Sequence, residues 1–204
     1  ADGPVIQRAD ERALAQGVDI FKVFELVRKI RNNVEVPMVF LLYYNVMVQY
    51  GIEKFFKRCQ ETGVDGLIIP DLPYEESDEI KEYTEKYGVY QISLVSPTSK
   101  DRIKNIAKDA KGFLYCISSL GVTGEKSSFV TNFDEFVGTI KKYTDVPACV
   151  GFGVSNGRQV KELTKYCDGA IVGSAIVKSI ATGESVEERM NNLREKIKDL
   201  KSGL

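Results

Sequence analysis

The chain has 204 residues, a formal net charge of −1 and 43% hydrophobic residues, enough for one sizeable core. Acidic and basic side chains are interspersed without a basic run, which excludes an electrostatic footprint for nucleic acid or an anionic membrane. No apolar run approaches the roughly 20 residues that span a bilayer, and no signal peptide is visible, so the expected location is cytoplasmic.

The chain begins Ala1-Asp2-Gly3-Pro4, without an initiator Met and in what reads as a loop. It is therefore expected to be a fragment, or to lack preceding residues. Residues 4 to 17 read as a helix, with Pro4 in the first turn, Ile6, Ala9, Ala13 and Leu14 on one face and Gly17 as the stop. Asp19 is placed to cap a second helix carrying Ile20, Val23, Phe24, Val27 and Ile30. Met38 to Tyr43 is an unbroken apolar run, as expected of a parallel strand covered on both faces. A helix from about Gly51 to Thr62 follows, then a strand at 66–69, a turn at Pro70-Asp71-Leu72-Pro73 and an acidic-started helix through Tyr87.

Residues 90–95 read as one strand, and Ser99 as the cap of the next helix. The strand at 113–118 runs into a glycine-bounded loop, Gly121-Val122-Thr123-Gly124. A helix around Phe133 to Ile140, a strand at 148–150, a helix from Asn156, a strand at 169–172 and an amphipathic helix with Val186, Met190, Leu193, Ile197 and Leu200 complete the chain. This alternation predicts α/β architecture in a single domain over 1–204. A (β/α)8 barrel needs about 250 residues, so the expectation is a barrel without its strands 1 and 2. A doubly wound sheet of six strands is the rival.

No histidine is present, which removes Ser-His-Asp and Cys-His mechanisms and leaves acid–base chemistry to carboxylates, Tyr, Lys or Cys. The four cysteines lack CxxC spacing and read as buried, reduced thiols; no metal site is expected. Three strand exits end in glycine: Gly121 and Gly124, Gly151 and Gly153, and Gly173-Ser174. Backbone N–H groups approach an anion closely where there is no Cβ, and a barrel phosphate site is often built from the last loops and a short helix N-terminus. Tight turns are the plainer use of any one of these glycines. Asp2 is equally compatible with a solvent-facing helix cap, Asp71 with a turn former, Glu75 and Glu76 with helix-dipole complements, and Tyr43 and Tyr115 with core or pocket walls.

Five stretches then carry a resemblance. Ala-Asp-Gly-Pro-Val-Ile-Gln at 1–7, Pro-Asp-Leu-Pro-Tyr-Glu-Glu at 70–76, Gly-Val-Thr-Gly at 121–124, Gly-Phe-Gly-Val-Ser at 151–155 and Asp-Gly-Ala-Ile-Val-Gly-Ser-Ala-Ile-Val at 168–177 resemble, in order and spacing, the motifs of the tryptophan synthase alpha-subunit family. The resemblance covers essentially the whole chain. It implies a (β/α)8 lyase of tryptophan biosynthesis that cleaves indole-3-glycerol phosphate to indole and glyceraldehyde 3-phosphate. It also implies an α2β2 complex in which pyridoxal phosphate belongs to the beta partner and this chain holds no cofactor.

By the same resemblance Asp2 and Tyr115 are catalytic, and Gly124, Gly153, Gly173 and Ser174 bind phosphate. Thr123 closes a loop onto the aspartate. Ile6, Leu41, Tyr43 and Ile68 wall the indole pocket, and Asn45, Asp71 and Pro73 face the beta subunit. The family's second catalytic carboxylate, a glutamate on strand two, would lie before Ala1. The polypeptide 1–204 by itself is therefore expected to form an unclosed barrel with exposed strand edges and little or no lyase activity; with the preceding segment it would be an ordinary alpha subunit. A stand-alone indole-glycerol-phosphate lyase, a fragment that only binds phosphate ligand or partner, and a phosphosugar isomerase are the other readings.

Overall fold

A computed structural model describes residues 2–99, 101–117, 126–151 and 153–204. In chain order the elements are α1 (Pro4–Ala15), α2 (Ile20–Arg31), β1 (Val39–Leu41), α3 (Tyr44–Tyr50), α4 (Ile52–Thr62), β2 (Gly66–Ile68), a 3-10 turn (Tyr74–Glu76) and α5 (Asp78–Tyr87). They continue as β3 (Tyr90–Gln91), β4 (Leu94–Val95), α6 (Ile103–Asp109), β5 (Leu114–Ile117), α7 (Lys126–Lys141), β6 (Ala148–Gly151), α8 (Gly157–Leu163), β7 (Gly169–Ile171), α9 (Ser174–Ala181) and α10 (Val186–Lys201).

Every strand pairing is parallel, in the orders β1-β2-β3 and β4-β5-β6-β7. The single strand expected at 90–95 is thus divided, and the reason is a change of partner. The Ile92 N–H donates to the Leu67 carbonyl on the β2 side (2.8 Å), while the Ser93 carbonyl accepts the Tyr115 N–H on the β5 side (3.0 Å). One extended segment serves both sheets and joins them into one wall. The wall is not closed: among the described residues β1 and β7 each pair on one side only.

Alternation along the strands puts one face of this wall against the helices. Leu67, Leu114, Cys116 and Val150 are fully buried on that face. On the other face Leu41 is 55% and Ile117 36% exposed. Among the described residues helices cover one side only, which is barrel architecture and not a doubly wound sheet. Two buried clusters fill the helix side. One, around Phe24, Phe55, Phe56 and Leu67, joins β1 and β2 to α2–α5; the other, around Leu114, Ile140 and Val150, joins β4–β6 to α6–α8. In the first, Phe24 meets Phe55 edge-on at 5.2 Å and Phe40 at 5.4 Å, pairs worth about 0.5–1.5 kcal/mol beyond their buried area.

Local signals account for most helix ends. Asp19 accepts the Lys22 N–H (2.9 Å), Asn156 accepts that of Gln159 (3.0 Å), and Gly63 and Gly88 stop α4 and α5 with φ of +83° and +66°. Four expectations need correction. A helix precedes Gly51: α3 was not visible because its N-terminal N–H is bonded by a residue 27 positions away. Among the described residues the Ser99 side chain bonds the Ser96 hydroxyl (3.1 Å) and not the start of α6, which begins at Ile103 with Arg102 at its N-cap. Glu75 lies in the 3-10 turn and receives two hydrogen bonds from Arg102 (3.1 Å each). The α10 stripe packs only near its end: Leu200 is buried, but Val186, Met190 and Ile197 are 76%, 43% and 41% exposed.

Candidate functional site

Parallel strands in register bring all their carboxyl ends to one rim. Leu41 stands opposite Ile68, and Gly151 stands between Ile117 on β5 and Ile171 on β7. The residues just past these pairs are Tyr43, Asp71, Gly153 and Gly173, so the separate strand exits of the sequence form one neighbourhood.

Asp2 joins this rim from outside the strands. Gly3, not Asp2, is the N-cap of α1, and Pro4 opens the helix. The Asp2 carboxylate instead accepts a hydrogen bond from the Tyr43 hydroxyl (Oη to Oδ2, 3.0 Å), while its carbonyl accepts from Gln7 Nε2 (2.8 Å). That resolves the ambiguity of Asp2: it is directed to the end of β1 and does not cap its own helix. The bond to Asp2, then the charge of Asp2, holds the Tyr43 phenol above its ordinary pKa. α1 packs against α9, so the helix that begins beside Asp2 leans on the helix that begins at Ser174.

Asp71 is likewise more than a turn former. Both of its carboxylate oxygens accept the Tyr44 N–H (2.9 and 3.1 Å), which supplies the cap that α3 lacks locally. Asn45, exposed in the first turn of α3, and Pro73, exposed before the 3-10 turn, lie beside this contact. The three residues expected to meet a partner are therefore grouped on one exposed part of the rim.

Leu41 and Ile68 are cross-strand partners on the face away from the helices, Leu41 open and Ile68 buried. Tyr115 lies on the same face of β5, half-buried, and burial raises its phenol pKa. Its ring lies so close to Gly151 that a Cβ there would be 2.5 Å from Tyr115 Oη. Gly151 is thus the residue that makes room for Tyr115, a role the motif did not disclose. Ile6 is half-buried in the first turn of α1.

Gly153 has φ +71° and open space where a Cβ would point. Gly173 is the N-cap of α9 without a side-chain capping bond, and Ser174 is the first residue of that helix. Together these leave an N-terminal helix dipole and small residues facing the rim, an arrangement suited to phosphate. Thr123 and Gly124 lie outside the described residues.

Cysteine chemistry is disfavoured. Burial pushes the Cys59 and Cys116 thiols up to about 12, far from thiolate at neutral pH. Among the described residues no group of three or more His, Cys, Asp or Glu side chains could hold a metal ion, and no helix is long and apolar enough to cross a membrane. One cleft of about 160 Å³, lined by Pro70, Tyr74, Ser93, Ser99 and Arg102, was not foreseen. Its cation is already engaged by Glu75.

Comparison with known proteins identifies the family. The profile of the family described as tryptophan synthase alpha chain matches residues 1–204. The chain is 47% identical over 205 residues to the tryptophan synthase alpha chain of Alkaliphilus metalliredigens (strain QYMF), covering 99% of this chain and 77% of that one. It is 46% identical over 204 residues to that of Thermoanaerobacter sp. (strain X514), covering 100% and 78%. The solved tryptophan synthase subunit alpha from Campylobacter jejuni superposes with a TM-score of 0.87 at 42% identity, over 96% of this chain and 78% of that one.

Proposed function

This chain belongs to the tryptophan synthase alpha chain family, and from that premise we propose how its residues divide the work. The alpha-subunit role in tryptophan biosynthesis is the role of this chain, and the known reaction of the subunit is cleavage of indole-3-glycerol phosphate. In our reading residues 1–204 are a single domain without a cofactor of its own.

The reaction breaks the bond between indole C3 and the adjacent glycerol carbon. C3 gains a proton, the hydroxyl on the departing carbon loses one, and that carbon becomes the aldehyde of glyceraldehyde 3-phosphate. Protonation at C3 places positive charge on the ring nitrogen. Asp2 is assigned to that nitrogen, as a fixed carboxylate where charge develops. Leu41, Tyr43, Ile68 and Ile6 wall the ring, and covering exposed Leu41 contributes about 25 cal/mol per Å² of apolar surface removed from water. Tyr115 stands on the same inner face, beside the bond that breaks. Gly153, Gly173 and Ser174, with Gly124, hold the phosphate and so orient the substrate. Thr123 is assigned to closing the site over Asp2.

The observation that carries this reading is the pairing of α1 with α9. It sets the helix that follows Asp2, whose carboxylate is held by Tyr43, against the helix that begins at Ser174. The family works with a beta subunit. We place that contact at Asn45, Asp71 and Pro73, in a cytoplasmic α2β2 assembly whose pyridoxal phosphate sits on the partner.

The test follows indole release from indole-3-glycerol phosphate, with and without purified beta subunit, for the parent and Asp2→Asn. Glycerol 3-phosphate binding is measured alongside. Asp2→Asn should lower turnover about 100-fold or more and leave glycerol 3-phosphate affinity within twofold. Equal turnover in the two proteins, or no indole from the parent even with the beta subunit, would overturn the assignment.

A further inference from the structure

The contacts of Asp2 and Asp71 are two ends of one chain of contacts. Asp71, at the exit of β2, grips the Tyr44 N–H with both carboxylate oxygens, at 2.9 and 3.1 Å. Tyr44 is the first residue of α3, and Tyr43 immediately before it is the helix N-cap, extended at φ −82° and ψ 148°. The Tyr43 hydroxyl reaches Oδ2 of Asp2 at 3.0 Å. Movement of the α3 start therefore moves the root of the Tyr43 side chain, and with it the donor that orients the carboxylate.

We propose that Tyr43 and Asp71 are positioning residues for Asp2, forming a relay from the exposed rim to the catalytic carboxylate. The inference rests on the reading of Asp2 given above and extends it. Tyr43 is thereby more than a wall of the ring pocket. By engaging Oδ2 it fixes the rotation of the carboxylate and leaves Oδ1 for the substrate N–H.

Asp71 sets the position of Tyr43 through the backbone, because a seven-residue helix without a local cap depends on this distant one. Asp71 is exposed, and among the described residues it forms no ion pair. A cation or donor that engages its carboxylate from outside competes with the Tyr44 N–H, and the change is passed to Asp2 across two strand exits. A positioning role predicts an effect on kcat with little on KM, because the phosphate end of the site is untouched.

The experiment compares Tyr43→Phe, Asp71→Ala and the double variant with the parent, in the presence of beta subunit. Tyr43→Phe should lower kcat about tenfold, as for the loss of one oriented hydrogen bond, with KM and glycerol 3-phosphate affinity within twofold. Asp71→Ala should lower kcat by less, and the double variant should be no worse than Tyr43→Phe, since residues acting in series do not add. An unchanged kcat in Tyr43→Phe, or fully multiplicative losses, would overturn the relay.

A readout independent of turnover separates this from failure of the catalytic reading. The Tyr43 ring, labelled at Cζ and followed by NMR, faces the charges of Asp2, Asp71 and Asp10. Its titration should lie above that of an ordinary tyrosine and fall toward it in Asp2→Asn. A Tyr43 titration indifferent to Asp2→Asn contradicts the relay whatever the enzyme does; a shifted titration with no lyase activity supports the relay and removes only the catalytic reading.

Discussion

The two rims of the wall use aspartate in opposite ways. At the amino rim Asp65 precedes Gly66 of β2, and Asp168 precedes Gly169 of β7. Each accepts a backbone N–H at the start of the neighbouring strand, Met38 for Asp65 and Ala148 for Asp168, both at 2.7 Å. Each returns its own N–H to the same neighbour, at 2.8 and 3.0 Å. Each also pairs with a cation that ends a helix, Arg31 of α2 (2.5 Å) and Lys141 of α7. The same clamp thus occurs once in each sheet. At the carboxyl rim Asp2 and Asp71 hold an O–H and an N–H, and among the described residues neither has a cation. Neutralised carboxylates lock strand to strand and helix to strand. Un-neutralised ones remain available to a developing positive charge. The wall separates stability from chemistry along its strands.

That contrast can be broken at either rim. The largest effect belongs to Asp2→Asn, with the loss of turnover given above and a melting temperature within about 2 °C of the parent. Gly151→Ala comes next: its Cβ would sit 2.5 Å from Tyr115 Oη, so the ring must shift. Since a misplacement of about 1 Å can cost 100-fold, turnover should fall about 10- to 100-fold, measured with indole-3-glycerol phosphate at saturation.

Asp65→Ala should do the reverse. Removing the acceptor of Arg31 and the Met38 N–H should lower unfolding free energy by about 1.5–3 kcal/mol in urea, with turnover of the folded protein unchanged. Asp168→Asn should have the smallest effect, about 1 kcal/mol, and its pH dependence sharpens the comparison. Burial opposes the charge on Asp168, but Lys141 and the Ala148 N–H outweigh it and hold the pKa below the ordinary value. The folded pKa being the lower one, the stabilisation is complete above the unfolded value of about 3.9. It is lost as pH falls through the depressed folded pKa. Parent and Asp168→Asn should therefore differ at neutral pH and converge in acid, by denaturation at a series of pH values.

Much of this was legible in the sequence, and the parts that were not share a cause. Strand positions, the Asp19 and Asn156 caps and the Gly63 and Gly88 stops depend on neighbours within a few residues, and they were read correctly. The start of α3 depends on Asp71, the division at 90–95 on which neighbouring strand each half meets, and the state of Glu75 on Arg102. None of these partners lies within one helical turn. The glycine exits marked the rim, yet the use of Gly151 as clearance for Tyr115 needed the register of β5 and β6. The two clamps were hidden for a related reason: a Val-Asp-Gly or Cys-Asp-Gly before a strand looks like any turn until the cation arrives from the helix that precedes the neighbouring strand.

The most direct test is a crystal structure of the protein with a non-cleavable indolylalkyl phosphate. The account predicts the ring N–H within hydrogen-bonding distance of the Asp2 carboxylate, and the phosphate on the N–H groups at Gly153 and Gly173-Ser174. A ligand seated with its ring away from Asp2, or bound in the cleft beside Arg102, would contradict it.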